Sequence, residues 1–407
     1  MAYVFIWSFA ILLFPLLLFC LEVVVGCFRY AIARRATESL RIVPALDQTL
    51  KGVVLVPAHN EHSVIGATLE SLLSACSQNM RIIVIADNCS DDTAVIARQY
   101  HCEVIERTHA QDRGKGFALA FGLEHCRADN PDVVMVVDAD CTVNANALSD
   151  LMRCADHYQT IVQGAYTLVA PEHAKPATRI SAFAVFIKNI IRPLGLAKLG
   201  GSVPITGSGF AIAGALIDHI DLASGEIVED MKLGLDLALL GQKVEFVLPA
   251  KITSVLPTDN QTSQVQRARW EHGHIGMITK YMPKLLLFSL KELRWASLIT
   301  ALDLCILPFI VLLTLSTGLS IILGSAMYLI GWSVFVYWIV GLNIMLLVAL
   351  IVANALRGSD RLQLKDVYAL SEYALNKIGL YRALTSGKRS RWHKTQRELP
   401  AQPPKKK

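Results

Sequence analysis

Residues 131–143 read PDVVMVVDADCTV, an apolar, β-branched run that stops at two aspartates one residue apart. Val133, Val134, Met135, Val136 and Val137 follow one another without alternation between a proline and a charge. A strand buried on both faces of a parallel sheet reads this way. Such a strand carries Asp138 and Asp140 at its carboxyl end. In open α/β sheets ligands sit in the crevice outside those ends, where two carboxylates are able to share a divalent cation with a phosphate ester. A solvated Asp-x-Asp turn is the other reading, because aspartate is a common turn residue.

Upstream, short apolar strands alternate with longer amphipathic segments. Residues 53–56 form a strand running into Pro57-Ala58-His59-Asn60-Glu61, followed by helical spacing at Ile65, Leu69, Leu72 and Leu73. Residues 82–86 form a second strand, running into Asp87-Asn88-Cys89-Ser90, then a helix to about residue 99 and a short strand at 103–105. A polar loop holds Arg113-Gly114-Lys115-Gly116, where an ammonium among glycines can approach an anion closely or simply remain an exposed lysine; a helix at 117–127 leads into the opening strand. This alternation calls for a doubly wound, mostly parallel α/β sheet. Right-handed crossovers bring the strand ends, and their polar clusters, to one edge.

Downstream the pattern loosens. Residues 162–168 read as a strand, and 178–192 as a mostly apolar helix with Lys188 and Arg192 four apart and a stop at Pro193. That helix suits a membrane surface with its basic residues toward lipid phosphates, or a core position. Thr206-Gly207-Ser208-Gly209-Phe210 is a turn where backbone can approach a ligand. Residues 225–240 read as a helix with Glu226, Glu229 and Asp230 at its start. A strand at 244–248 is followed by a loop, the polar run Gln264 to Trp270, and an amphipathic helix at 281–296.

The chain is 53% hydrophobic over 407 residues, with a mean hydropathy of +0.42, too high for an ordinary cytosolic enzyme. A net charge of +5 without a basic, aromatic-interleaved stretch excludes a nucleic-acid groove. Nine scattered cysteines without a Cys-x-x-Cys pair exclude a zinc framework or a disulfide scaffold. Residues 4–28 carry a single charge, Glu22, in a run long enough to cross a hydrocarbon core of roughly 30 Å. MAYVF lacks the basic n-region of a signal peptide, although residues 24–27 resemble a lipoprotein cleavage box. Arg29, Arg34, Arg35 and Arg41 after the run place the amino terminus outside. Two further apolar runs, 298–323 and 327–355, form a hairpin flanked by Lys and Arg on both sides. The expected organisation is a transmembrane helix in 1–30, a cytoplasmic α/β domain in 48–280, an interfacial helix in 281–296, a transmembrane hairpin in 297–356 and a basic segment in 357–407. These three spans define a multi-pass protein of the inner (plasma) membrane.

Taken in order, Pro57-Ala58-His59-Asn60-Glu61, Asp87, Asp138-Ala139-Asp140, Glu229-Asp230 and Gln266-Arg267-Ala268-Arg269-Trp270 resemble the signature of family 2 glycosyltransferases of the GT-A fold. The membrane-bound branch with the cellulose, hyaluronan and chitin synthases and ceramide glucosyltransferase is the most similar, over about residues 50–275. The resemblance implies a UDP-sugar donor and Mg²⁺ or Mn²⁺ held by Asp140 and Asp138. Pro57, His59, Glu61, Asp87, Lys115, Asp138, Gln266 and Arg269 would bind the donor. Asp230 would be the general base of an inverting displacement. Glu229, Trp270, Gly207 and Ser208 would line the acceptor side. The turn at 206–208 departs from the cellulose-synthase form, and His59 stands where a tyrosine is usual. Both departures leave the acceptor open.

Three spans are few for an export channel, which favours a lipid-linked glycan or glycolipid acceptor among membrane lipids, in exopolysaccharide or glycolipid biosynthesis. A processive polysaccharide synthase, with a homo-oligomer or assembly partners building the channel, is the second reading. A non-catalytic nucleotide-sugar-binding subunit is a third, which the intact set Asp87, Asp138, Asp140 and Asp230 disfavours. A sugar nucleotidyltransferase would not explain residues 266–270.

Overall fold

The structure is a computed structural model describing residues 2–35, 49–256, 260–329, 331 and 333–369, with the side chains of 2–13, 260–269, 309, 310, 315, 319, 323, 333–335, 359 and 367 outside the description. A long amino-terminal helix, α1 (Ala2–Arg35), precedes the α/β domain. The domain opens with β1 (Gly52–Ala58), α2 (Ile65–Ala75), β2 (Met80–Asp87), α3 (Thr93–Gln99), β3 (Glu103–Arg107), α4 (Lys115–Arg127) and β4 (Val133–Val136). It continues through β5 (Cys141–Val143), α5 (Ala147–Tyr158), β6 (Ile161–Val169), α6 (Pro176–Phe186), a π turn (Ile187–Ile191) and α7 (Arg192–Lys198). β7 (Phe210–Ala213), α8 (Glu229–Leu239), β8 (Glu245–Val255), α9 (Asn260–Lys291) and α10 (Trp295–Leu304) follow, then α11 (Phe309–Leu329), α12 (Ser333–Leu356) and the short α13 (Leu364–Val367).

The eight strands form one sheet in the order β3-β2-β1-β4-β7-β6-β8-β5. The first four are parallel, with Leu55 of β1 between Ile83 of β2 and Val136 of β4. Their continuous apolar runs fill two cores. Val54, Val84 and Met135 pack against Leu69 and Leu72 of α2 and Leu148 and Leu151 of α5. Leu55, Ile83 and Val136 face α4 and α8 through Leu119, Leu123 and Leu233. Alternate residues of one strand thus supply both layers.

The other half is mixed. β7 runs antiparallel to β4, with Val136 opposite Phe210, so the start of β7 lies beside the end of β4. β6 pairs antiparallel with β7 and parallel with β8, and β5 pairs antiparallel with β8. Strands β5 and β7 are too short for any periodicity to announce them.

Three other features differ from expectation. The helix at 178–192 does not stop at Pro193: the π turn re-routes the preceding hydrogen bonds, and the proline falls in the first turn of α7, where its missing N–H costs little. The run 298–323 is broken before Pro308, so α10 packs on α8, with Ser297 Oγ donating to the Ala238 carbonyl at 2.9 Å. Residues 281–291 are the end of the single helix α9; Tyr281 and Leu285 are buried, while Leu287, Leu290 and Leu293 are exposed. Much of the basic segment, 370–407, lies outside the described residues.

Four described helices are long and apolar enough to cross a membrane: Phe14–Arg35, Pro176–Lys198, Val311–Leu329 and Val336–Leu356. The last two bury only 20% and 22% of their apolar windows, as lipid-facing helices do, whereas Pro176–Lys198 buries 67%. It packs against α1 at a crossing set by two glycines. A Cβ on Gly26 would fall 1.9 Å from the Ile191 carbonyl oxygen and one on Gly195 2.1 Å from that of Glu22.

Candidate active site

The sheet delivers the polar clusters to one edge. At the end of β1, His59 Nδ1 lies 2.7 Å from the Asp87 carbonyl oxygen, which only accepts, so Nδ1 carries the proton. The Glu61 N–H donates to Thr93 Oγ1 at 2.8 Å. Asp87, buried at the end of β2, is paired with Arg107, whose Nη1 donates to Oδ1 at 2.7 Å. Arg107 stands opposite Asp87 in the parallel register of β3 and was missed from sequence; a basic residue ending a strand next to an acidic strand end was its only signal.

Asp138 and Asp140 follow β4. The Asp138 N–H donates to Ser208 Oγ at 3.0 Å, and that hydroxyl donates in turn to Cys141 Sγ at 3.3 Å. Ser208 is fully buried. Its side chain lies beneath the aspartate turn, bonded to the Asp138 N–H and to Cys141. Asp140 Oδ2 accepts from Ser254 Oγ of β8 at 2.7 Å. Buried Gln163 of β6 holds the glycine turn, accepting from the Thr206 N–H at 3.0 Å and donating to the Ser208 carbonyl at 2.9 Å. Ser254 and Gln163 left no local sign in the sequence, because strand pairing alone brings them here.

Ligand atoms of Asp138, Asp140 and Cys141 lie within 4.8 Å of one another. The two carboxylates, half-exposed, offer the hard oxygen donors that Mg²⁺ and Mn²⁺ prefer. The Cys141 thiol is pushed far up by burial and by the two aspartates, so it stays protonated and is not part of a hard-cation donor set. The acidic pair fits a divalent metal.

Lys115, the first residue of α4, joins this cluster to a second one. Its ammonium donates to the Gly207 carbonyl at 2.6 Å and pairs with Asp138. Burial opposes its charge, but Asp138, Glu229 and Asp230 outweigh burial and hold its pKa above the usual lysine value. Glu229 and Asp230 form the first turn of α8, and Asp230 Oδ1 accepts the Met231 N–H at 2.8 Å. Burial and Asp230 raise Glu229 to about 7, with Lys115 opposing. Burial also raises Asp230, while Lys115 and Lys188 pull it back. Gly207 has φ +85, and a Cβ there would lie 3.3 Å from Asp230 Oδ2. Only glycine meets both demands without strain.

The structure therefore brings Lys115, Asp138, Asp140, Gly207, Glu229 and Asp230 together, with His59 and Asp87 at the ends of neighbouring strands. Trp270 is partly exposed on α9. Gln266 and Arg269 lie on α9, but their side chains fall outside the described residues.

A half-parallel, half-mixed α/β sheet with an Asp-x-Asp pair at a strand end and membrane-length helices around it defines a GT-A-type glycosyltransferase. Residues 52–273 match the family model described as glycosyltransferase-like family 2, and the chain belongs to that family. It is 28% identical over 302 residues to "Probable glycosyltransferase YdaM" of Bacillus subtilis, covering 70% of this chain and 68% of that one. It is 26% identical over 258 residues to a poly-beta-1,6-N-acetyl-D-glucosamine synthase of Staphylococcus aureus, covering 61% of each. Among solved structures, a mannosyltransferase from Pyrobaculum calidifontis in complex with GDP-Man and Mn2+ aligns over 84% of this chain and 97% of its own, at 16% identity and a TM-score of 0.45.

Proposed function

We propose that this glycosyltransferase moves a sugar from a UDP-sugar to a membrane-associated acceptor, a lipid-linked glycan or glycolipid, with inversion at the anomeric carbon. The observation that carries the reading is the single ammonium of Lys115, which pairs with Asp138 on the donor side and faces Glu229 and Asp230 on the other. One cation thus links a carboxylate pair suited to a diphosphate with a carboxylate suited to removing a proton.

In this reading Asp230 takes the proton of the acceptor hydroxyl as that oxygen bonds to the anomeric carbon and the bond to the diphosphate breaks. General-base help of this kind is worth about 10²–10⁴-fold. Burial raises the proton affinity of Asp230, which strengthens it as a base. Lys115 keeps it ionised and stays close enough to the donor to meet the developing charge of the leaving diphosphate. Asp138 and Asp140 would hold Mg²⁺ or Mn²⁺, which when bound would supply Lewis-acid stabilisation of that same charge. Pro57, His59, Glu61 and Asp87 form the nucleoside wall, Gln266 and Arg269 bind the diphosphate, and the indole of Trp270 supports the acceptor sugar. The exposed Leu287, Leu290, Leu293 and Trp295 at the α9–α10 junction supply an apolar edge for the bilayer surface, with the catalytic domain on the cytoplasmic side.

The test is to incubate membranes containing the protein with labelled UDP-sugars and Mg²⁺ or Mn²⁺. Label in an organic-soluble lipid supports the proposal; label confined to a long polymer, or none, overturns it. The polymer outcome is the second reading, a processive synthase, favoured by the similarity to the Staphylococcus aureus polysaccharide synthase.

A further inference from the structure

Sequence pairs Lys188 with Arg192 as two basic residues for lipid phosphates; the structure gives them different work. Arg192 Nε donates to Glu22 Oε2 at 2.8 Å, Nη2 pairs with Asp303, and the guanidinium lies 5.4 Å from the centre of the Phe19 ring. It is fully engaged in joining α1, α7 and α10. Lys188, in the π turn, makes no hydrogen bond or ion pair to a described residue.

Lys188 lines a cavity of about 70 Å³ together with Leu196, Met231, His274 and Ile306. Room for one buried water is roughly 10–15 Å³ by this kind of measure, so the space suits a group the size of a phosphate. Met231 is the neighbour of Asp230, and the field of Lys188 reaches that carboxylate. Opposite, His274 Nε2 lies 3.0 Å from the Leu304 carbonyl oxygen and must donate to it, leaving Nδ1 as an acceptor. Burial and Lys188 push His274 down to about 4, so the ring is neutral and adds no competing cation. Ser202, Thr300 and Asp303 also line the cavity, the Asp303 carboxylate being paired with Arg192; the rest of the wall is apolar and borders α7, which packs on the membrane-length helix α1.

We propose that Lys188 binds the phosphate of an acceptor carried on an apolar chain, seating that phosphate in this cavity with the group to be glycosylated turned toward Asp230. An ammonium is a point-charge partner for phosphate oxygens, and the apolar wall accepts the first carbons of the chain. The inference rests on the membrane-acceptor reading and narrows it from lipids in general to phosphate-linked ones.

The experiment uses full-length protein in nanodiscs and measures binding of farnesyl diphosphate and of farnesol, alongside glycosyl transfer by the wild type to a farnesyl-diphosphate-linked sugar and to an octyl glycoside. Farnesyl diphosphate should bind at least about tenfold tighter than farnesol. Lys188→Gln should erase the difference and Lys188→Arg should retain most of it. Equal binding of the two probes, or a preference that survives Lys188→Gln, overturns the proposal. So does full displacement by millimolar inorganic phosphate or by phosphatidylglycerol in the disc, which assigns the site to free phosphate or bulk headgroups. Lys188-dependent binding without transfer to either acceptor leaves the phosphate site standing and overturns the acceptor reading instead; transfer to the octyl glycoside alone does the reverse.

Discussion

The Lys115 ammonium lies 2.6 Å from the Gly207 carbonyl oxygen. That contact ties the first turn of α4 to the glycine turn before β7, two segments 92 residues apart. The same ammonium pairs with Asp138 and interacts electrostatically with Glu229 and Asp230, so one side chain couples the aspartate turn to the start of α8.

Replacing Lys115 with methionine should therefore do two things. Donor affinity falls, seen as a raised KM for the UDP-sugar. The acid limb of the pH–rate profile moves upward, because the cation that favours ionised Glu229 and Asp230 is gone. A lowered rate with an unmoved pH profile would remove Lys115 from the acceptor side.

Asp230→Asn should lower kcat by about 10²–10⁴-fold while UDP binding, followed by calorimetry, is largely preserved. Unchanged turnover would assign the base elsewhere.

Glu229, held at about 7 in the fold against an ordinary 4.5, gives opposite signs for activity and stability. Activity needs the ionised pair and rises with pH through about 7. Between about 4.5 and 7 the folded state binds more protons than the unfolded chain, so stability falls as pH rises. Glu229→Gln should raise Tm at pH 8, leave it nearly unchanged at pH 4, and move the acid limb of activity downward. Equal Tm shifts at both pH values would show that the carboxyl is not raised.

Ser254→Ala removes the 2.7 Å hydrogen bond that orients Asp140. Partners of ligating carboxylates are typically worth about 10–100-fold in metal affinity. The Mn²⁺ concentration for half-maximal activity should rise by that order, with full activity recovered at saturating metal. Asp140→Asn should not recover.

Arg192→Leu leaves Glu22, fully buried, and Asp303 without their shared cation. Breaking a buried pair in this way costs about 3–5 kcal/mol. Thermal unfolding of the detergent-solubilised protein should show the loss, and the companion change Glu22→Gln should restore part of it.

The parallel half of the sheet was legible because its strands are continuous apolar runs and because strand polarity obliges the polar clusters after β1, β2 and β4 to meet at one edge. Asp87, Asp138 and Asp140 could therefore be assigned to one crevice before any coordinates, and Glu229-Asp230 stood out as a carboxylate pair at a helix start. The end of the helix at Pro193 was misread, since a single π turn has no signature in residue type. The burial of Ser208 was not legible either: sequence marks a small, flexible turn but does not say which of its side chains turns inward.

What the sequence determined by itself is the order of chemistry along the chain, because local composition fixes strands, helices and the residues at their ends. Only the tertiary structure decided how those residues are held. Ser254 comes to Asp140 through antiparallel pairing of β5 with β8, and Gln163 reaches the glycine turn from β6. Glu22, the lone charge of an apolar helix, is accounted for by Arg192 across 170 residues. Contacts of that range depend on register, burial and the crossing of helices, none of which a local pattern encodes. The same is true of Asp138 and Asp140, whose pairing is written in the sequence while the serines, cysteine and lysine that orient them are supplied by the fold.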